Sequence, residues 1–114
     1  MGKLKNSLID QENPENRMVI SRATDATGTS LQGHIEATYN ELVKVFGEPN
    51  YGPNSQDHDK TTCEWCLWIE GTLVTIYDWK TDHTPINTYS WHIGGKNKEA
   101  PELVYDAFFQ SKAI

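Results

Sequence analysis

The sequence lacks several features that assign other proteins to a class at once. Its 114 residues include only two cysteines, and no apolar run approaches the roughly 20 residues that a membrane-spanning helix needs. Residues 1–17, MGKLKNSLIDQENPENR, contain no apolar stretch of the signal-peptide kind. The sequence therefore predicts a soluble cytoplasmic protein that does not enter a membrane and keeps its thiols reduced.

Motifs for common enzyme chemistry are also missing. The stretch HIGGKNK comes nearest to a phosphate loop but lacks the required spacing, and no serine lies in a nucleophile elbow. Ten basic and sixteen acidic side chains give a net charge of -6, which disfavours direct nucleic-acid binding. A mimic of nucleic acid would need dense carboxylates, whereas acidic residues here never stand side by side.

What the chain does contain fits one domain. A length of 114 residues is typical of a single domain with one hydrophobic core. Residues 1–17 are rich in Asn, Glu, Lys and Ser and predict a flexible N-terminal arm. The domain is expected to occupy residues 18–114.

The clearest local pattern is a helix predicted from TYNELVKVFGEP. Thr38, followed three residues later by Glu41, forms a capping box in which each side chain accepts a hydrogen bond from a free backbone N–H. Apolar residues then recur on one helical face, at Tyr39, Leu42, Val43 and Phe46. Gly47 and Pro49 are suited to ending the helix.

The remaining patterns predict five strands and a second helix. Alternating or short β-type runs occur at 18–21, 30–37 and 88–95 and twice within 61–80, where Gly71 supplies a turn. Pro101 suits the first turn of a helix with an apolar stripe of Leu103, Val104, Ala107 and Phe108. The order β-β-α-β-β-β-α predicts an α+β domain, with a mainly antiparallel sheet of four or five strands and two helices on one face.

The segment CEWCLWIEGTLVTIYDWK holds both cysteines and three of the four tryptophans. Successive side chains on a strand point to opposite faces, so Cys63 and Cys66, three residues apart, must point in opposite directions. Two such thiols cannot bind one metal ion from a regular strand, and only scattered histidines are available as further ligands. We therefore predict two buried free thiols, with no metal and no cofactor.

The same alternation sorts the large side chains between two sheet faces. The core face under the helices is predicted to contain Trp65, Leu67, Ile69, Val74, Ile76, Trp91 and Ile93. Within 30–37, one side collects Leu31, Gly33, Ile35 and Ala37. The face opposite the core is predicted to carry Trp68, Tyr77 and Trp79, with Cys66, Leu73, Ser90, His92, His34 and Glu36 around them. A sheet with one covered face is normally polar on the other, so the three aromatics need an explanation.

Three explanations are open. The arm at 1–17 or the loop at 50–60 folds over the aromatics, two copies of the chain associate through them, or they bind a partner. The third explanation predicts a protein-binding site anchored by Trp68, Tyr77 and Trp79, with His34 and His92 at its edge. The sequence is compatible with a monomer and with a homodimer.

Two other classes of function remain as alternatives. A small nucleotide-like ligand would stack on the same aromatics and place phosphate at Gly94, Gly95 and Lys96, where a strand ends before a helix. A small enzyme would use His92 and would need a carboxylate or a second histidine within hydrogen-bond reach. No catalytic residue is predicted otherwise.

Three stretches resemble known proteins: TSLQGHIEATYNELVKVFGEPNYGP, CEWCLWIEGTLVTIYDWK, and WHIGG followed by PELVYDAFF. Across about residues 18–110 the chain is similar to small accessory proteins encoded by bacteriophages, notably phages of marine cyanobacteria. KVFGEPN and WCLWIE also resemble domains of the BamE and β-lactamase-inhibitor-protein kind, which mostly bind other proteins. The phage resemblance implies an origin and no particular activity. Together with the aromatic sheet face it gives our first hypothesis, a non-enzymatic viral accessory protein that binds a host or phage protein in the cytoplasm of the infected cell.

Overall fold

The computed structural model describes residues 18–112, so the arm predicted at 1–17 lies outside the described residues. The elements are β1 (Ile20–Arg22), β2 (Ser30–Ala37), α1 (Tyr39–Phe46), β3 (Glu64–Ile69), β4 (Thr72–Tyr77), β5 (Tyr89–Gly95) and α2 (Glu99–Lys112). This order confirms the predicted β-β-α-β-β-β-α succession and the α+β class. The first strand lies slightly later in the chain than the predicted 18–21.

The five strands form one antiparallel sheet in the order β1-β3-β4-β5-β2. A tight turn joins β3 to β4, with φ of 51° at Glu70 and 78° at Gly71, as a two-residue hairpin turn of type I′ requires. β1 and β2 follow each other in the chain but lie at opposite edges. Residues 23–29, here called the crossing segment, therefore span the width of the sheet.

Helix α1 begins and ends as its sequence predicts. The N–H of Glu41 donates to Thr38 Oγ1 at 3.1 Å, and the N–H of Thr38 donates to Glu41 Oε1 at 2.9 Å, which completes the capping box. Gly47 ends the helix with a φ of 82°, and its N–H donates to the carbonyl of Val43. Leu42 turns into the core.

The core lies between the helices and one face of the sheet. All seven side chains predicted for this face are buried: Trp65, Leu67, Ile69, Val74, Ile76, Trp91 and Ile93. The two core tryptophans keep their indole N–H groups bonded, Trp65 to the carbonyl of Gly47 at 2.8 Å and Trp91 to that of Ala37 at 2.9 Å. Between residues 18 and 112, neither helix has the length and apolar character needed to cross a membrane.

A β-bulge in β2 corrects one part of the predicted alternation. The pairing of β2 with β5 shifts between Leu31 and Gly33, so Leu31 pairs with Gly94 and its side chain is 51% exposed. Gly33 remains on the core side, where a Cβ atom would lie 2.9 Å from Cγ of Pro101. The extra residue reverses the alternation at this point, and Leu31 therefore does not share a side with Ile35.

The cysteines point in opposite directions, as the strand period predicts. Cys63 belongs to the main core, whereas Cys66 packs with Ala23 and Leu73 on the other side of the sheet. Both thiols are buried and unpaired. Burial raises the pKa of Cys63 to about 12 and also raises the pKa of Cys66, so neither side chain has the low thiol pKa of a redox or metal-binding cysteine.

Candidate functional site

The sheet face opposite the helices, here called the open face, is divided by the crossing segment. The N–H of Ala23 donates to the carbonyl of Cys66 at 2.8 Å, and Ala23 and Ala26 pack against Cys66 and Leu73. These contacts bury the middle of the open face. Of the two covers that the sequence suggests, residues 1–17 lie outside the described residues, and the 50–60 loop reaches the Glu64 end of the face through Tyr51 and His58. The middle of the face is covered by the crossing segment, which the sequence does not suggest.

This division separates the three aromatic side chains predicted to act together. On the β3–β4 hairpin, Trp68 pairs with Leu73 and Tyr77 pairs with Glu64. The two pairs are four residues apart along the strands, which corresponds to about 13 Å. Trp68 and Trp79 are each 42% exposed, yet the crossing segment lies between them. They are therefore matched exposed tryptophans on two separate parts of one face.

Four of the five side chains predicted for partner binding do lie together. Tyr77, Trp79, His92 and His34, here called the aromatic cluster, contact one another through their rings. The His92 ring centroid lies 5.4 Å from that of Tyr77, 6.3 Å from that of Trp79 and 4.6 Å from that of His34. The arrangement follows from the register, because Tyr77 pairs with His92 and His92 pairs with His34.

Tyr51, His58 and Glu64 form a polar group next to the aromatic cluster, on the side of β3, which the sequence did not reveal. Tyr51 forms an isolated bridge with Glu64, and its hydroxyl donates to Glu64 Oε1 at 3.0 Å. The His58 ring stacks on Tyr51 with the centroids 3.6 Å apart. Burial raises the pKa of both Tyr51 and Glu64. Tyr51 lies in a turn-rich segment, where no periodic pattern could have linked it to the sheet.

Ser90 and Glu36 lie next to the aromatic cluster on the open face. Ser90 pairs with Glu36, whereas Trp79 lies two residues beyond the end of β4 at Tyr77. The small Ser90 therefore lies beside the exposed Glu36 on the open face, next along β5 from the face position of His92. At the strand positions of the open face within residues 18–112, Glu36 and Glu64 are the only lysine, arginine, aspartate or glutamate side chains.

His92 has the surroundings of a packed imidazole. Its Nδ1 is buried and has no hydrogen-bond partner among residues 18–112, so no carboxylate orients the ring through that atom. The neighbour within reach is His34, whose ring meets it edge to face. Burial, followed by the proximity of His34, lowers the pKa of His92, while Asp78 acts in the opposite direction. Nδ1 forms no hydrogen bond to His34 or to a carboxylate within residues 18–112, and the enzyme alternative stays a prediction.

This lowered pKa gives a prediction for stability against pH. Below pH about 6.5, the ordinary pKa of histidine, the unfolded chain takes up a proton at His92 before the folded chain does. The stability associated with neutral His92 should therefore fall as the pH drops from 6.5 toward the folded-state pKa. Urea unfolding at a series of pH values should show a steeper acid loss in the wild type than in His92→Phe. Parallel curves for the two proteins would contradict the prediction.

The residues predicted for phosphate binding have packing roles. A Cβ at Gly94 would lie 2.3 Å from Thr75 Oγ1, and one at Gly95 would lie 2.4 Å from Cβ of Ala100. Asn97 already accepts from the N–H of Glu99 at the start of α2, and Lys96 lies beside the crossing segment at Gly28. Acidic side chains, Glu99 and Glu102, occupy the first turn of the helix. No contact seen here forms a cradle for an anion, and this site stays a prediction.

Comparisons of the chain with protein-family models, with curated proteins and with solved structures found no match. Within residues 18–112, no three His, Cys, Asp or Glu side chains come together as a metal site. The geometry of the open face is therefore the basis for a functional proposal.

Proposed function

We propose that the chain is a non-enzymatic accessory protein, encoded by a phage and acting in the host cytoplasm, that binds a host or phage protein through the aromatic cluster. The observation that carries this proposal is the half-exposed Trp79, which lies against His92 and Tyr77 on a sheet face that neither helix covers. Tryptophan and tyrosine side chains dominate the binding energy of protein interfaces.

The neighbourhood of Trp79 supports a protein partner. The backbone N–H of Trp79 donates to the hydroxyl of Tyr89 at 3.1 Å, and Asp78 before it is completely buried. The indole is therefore presented by a fixed backbone, which lowers the entropy lost when a partner binds. Trp68 lacks comparable ring neighbours within residues 18–112 and is less suited to anchoring a contact.

The negative charge of the open face indicates which class of protein would bind there. Glu36 and Glu64 flank the aromatic cluster, and the whole chain carries a net charge of -6. A basic surface on the partner would be attracted over distance and would meet carboxylates and aromatic rings at contact.

Trp79 and Trp68, which are equally exposed on separate parts of the open face, allow the proposal to be tested with one variant and a matched control. Tagged wild type, Trp79→Ala and Trp68→Ala would be incubated with lysate of a cyanobacterial host, the source suggested by the phage resemblance, and retained proteins would be quantified by mass spectrometry. We expect a protein retained by wild type and Trp68→Ala whose recovery falls at least about tenfold with Trp79→Ala, as loss of one interface hot spot implies. Circular dichroism would verify that both variants remain folded.

Other results would contradict the proposal. Equal retention by all three proteins would show that the aromatic cluster does not form the contact. A bound small molecule in native mass spectra, lost only with Trp79→Ala, would favour the nucleotide-like alternative. A homodimer that dissociates only with Trp79→Ala would assign the cluster to self-association.

A further inference from the structure

The outer edge of β2 is the longer of the two sheet edges, and its backbone direction follows from the hairpin. In a two-residue hairpin the closing pair, here Ile69 and Thr72, exchanges both hydrogen bonds. Alternate residues of β4 then bond away from β3, so Thr75 and Tyr77 bond toward β5. Their partners on β5, Gly94 and His92, therefore direct their backbone hydrogen bonds toward β4.

The same alternation continues into β2. Because His92 bonds toward β4, its neighbours Trp91 and Ile93 bond toward β2, where Trp91 faces Ile35. His34 and Glu36 then direct their backbone N–H and C=O groups away from the sheet. An independent contact agrees with this assignment, because the hydroxyl of Tyr105 on α2 donates to the carbonyl of His34 at 2.7 Å.

At His34 and Glu36, three of the four outward backbone groups are unpaired. The N–H of Thr38, next along the edge, is bonded to Glu41, and the carbonyl of His34 is bonded to Tyr105. The N–H of His34 and both the N–H and C=O of Glu36 have no hydrogen-bond partner within residues 18–112. An unpaired edge of this kind is a template for another strand unless it is blocked.

Three of the usual devices that block an edge, namely proline, lysine and a bulge, are absent from the outer part of β2, and the side chain of Tyr105 on α2 occupies only the carbonyl of His34. From Gly33 to Ala37 the strand carries neither proline nor lysine, and its bulge lies before this stretch. The opposite edge strand, β1, has only three residues and pairs with β3 over that length. The free edge also adjoins the aromatic cluster, because His34 belongs to both.

We propose that an extended segment of the partner protein, carrying lysine or arginine, adds to β2 at His34–Glu36 as a sixth strand. This inference rests on the proposed function and specifies how the same partner binds. The backbone of the added strand satisfies the three free groups, and its side chains on the open face lie beside Glu36. A basic side chain at that position meets the Glu36 carboxylate.

The test uses random nine-residue peptides displayed and selected on the immobilised full chain. We expect the selected peptides to be enriched in lysine or arginine. NMR of the labelled full chain with one selected peptide should show the largest amide shifts at His34 and Glu36. Titration should give an affinity at least about tenfold weaker for Glu36→Pro, which removes the outward N–H while leaving the ladder to β5 intact. The affinity for Trp68→Ala should equal that of the wild type.

A second variant covers the case in which proline disturbs folding. Glu36→Arg keeps the backbone donor and reverses the charge, so it should also weaken a basic peptide while leaving the far-ultraviolet circular dichroism unchanged. Absence of selected peptides, peptides without basic residues, or binding that is insensitive to both Glu36 variants would overturn the edge proposal. Binding that is lost with Trp79→Ala but insensitive to both Glu36 variants would overturn it while leaving the proposed function intact.

Discussion

Replacing Asp78 with alanine should lower the free energy of unfolding by about 3–5 kcal/mol, because buried donors lose the acceptor that they share. Asp78 is completely buried, yet its carboxylate is surrounded by donors. Its Oδ1 accepts from the backbone N–H groups of Thr62 at 2.7 Å and Cys63 at 3.3 Å. Its Oδ2 accepts from the hydroxyls of Thr62 and Thr81.

The network continues beyond the carboxylate and joins two loops. The hydroxyl of Thr62 shares a hydrogen bond with that of Thr84 at 2.7 Å. Thr84 and Asn54 then bond reciprocally, each backbone N–H donating to the other's side-chain oxygen at 2.7 Å. Alanine at position 78 would leave the backbone N–H groups of Thr62 and Cys63 without their acceptor, and each such loss in a buried site costs about 1–3 kcal/mol. The hydroxyl of Thr62 can still donate to that of Thr84, and the half-buried Thr81 hydroxyl can turn toward water.

A conservative variant separates hydrogen bonding from charge. Asp78→Asn keeps an oxygen for the two backbone N–H groups, and its amide can donate to hydroxyls that rotate to accept. We expect this variant to lose only about 1 kcal/mol, the usual net value of a hydrogen bond. Guanidinium unfolding followed by tryptophan fluorescence would measure both variants. Equal stability of Asp78→Ala and wild type would show that the two loops do not depend on this carboxylate.

The elements of the fold were predictable because their signals are local. Alternation fixed the faces of β3 and β4, and the capping box of Thr38 and Glu41 located the start of α1. The bulge between Leu31 and Gly33 was not predictable in position, since a single inserted residue leaves no compositional mark. An alternating pattern gives the faces of a strand correctly only while its register is unbroken.

The candidate site was predictable in membership and not in arrangement. The strand period places Trp68, Tyr77 and Trp79 on the face away from the helices, and the structure has Trp68 and Tyr77 at such strand positions. Their separation depends on strand order, because only the placement of β1 and β2 at opposite edges sends the crossing segment over the sheet. Strand order is a property of long-range contacts, on which periodicity carries no information.

The paired glycines show a different limit of sequence analysis. A Gly-Gly pair before a helix is by default a strand end that leads into the helix, and it is also compatible with a phosphate contact. The sequence could not distinguish these cases, because the deciding atom belongs to the helix. The structure places Cβ of Ala100 on α2 where a side chain at Gly95 would be.

Gly95→Ala should therefore lower the free energy of unfolding by about 2–3 kcal/mol, the cost of overpacking a rigid contact. The added Cβ would lie 2.4 Å from Cβ of Ala100, which has no side-chain torsion to relieve the clash, so α2 must move away from the sheet. Leu73 O and Asn97 O, 3.5 and 3.6 Å from the same position, limit movement in other directions. Guanidinium unfolding would measure the change.

The double variant Gly95→Ala/Ala100→Gly tests whether this contact is the cause. It moves one methyl group from the helix to the strand, so it should be more stable than the sum of the single changes predicts, by about 1–2 kcal/mol, a coupling typical of residues in contact. Ala100→Gly alone should cost about 1 kcal/mol through helix propensity. Unchanged stability of Gly95→Ala, with no coupling in the double variant, would show that the contact with Ala100 does not limit this position. The sign and size of the coupling thus report whether the packing of α2 on β5 requires glycine at position 95.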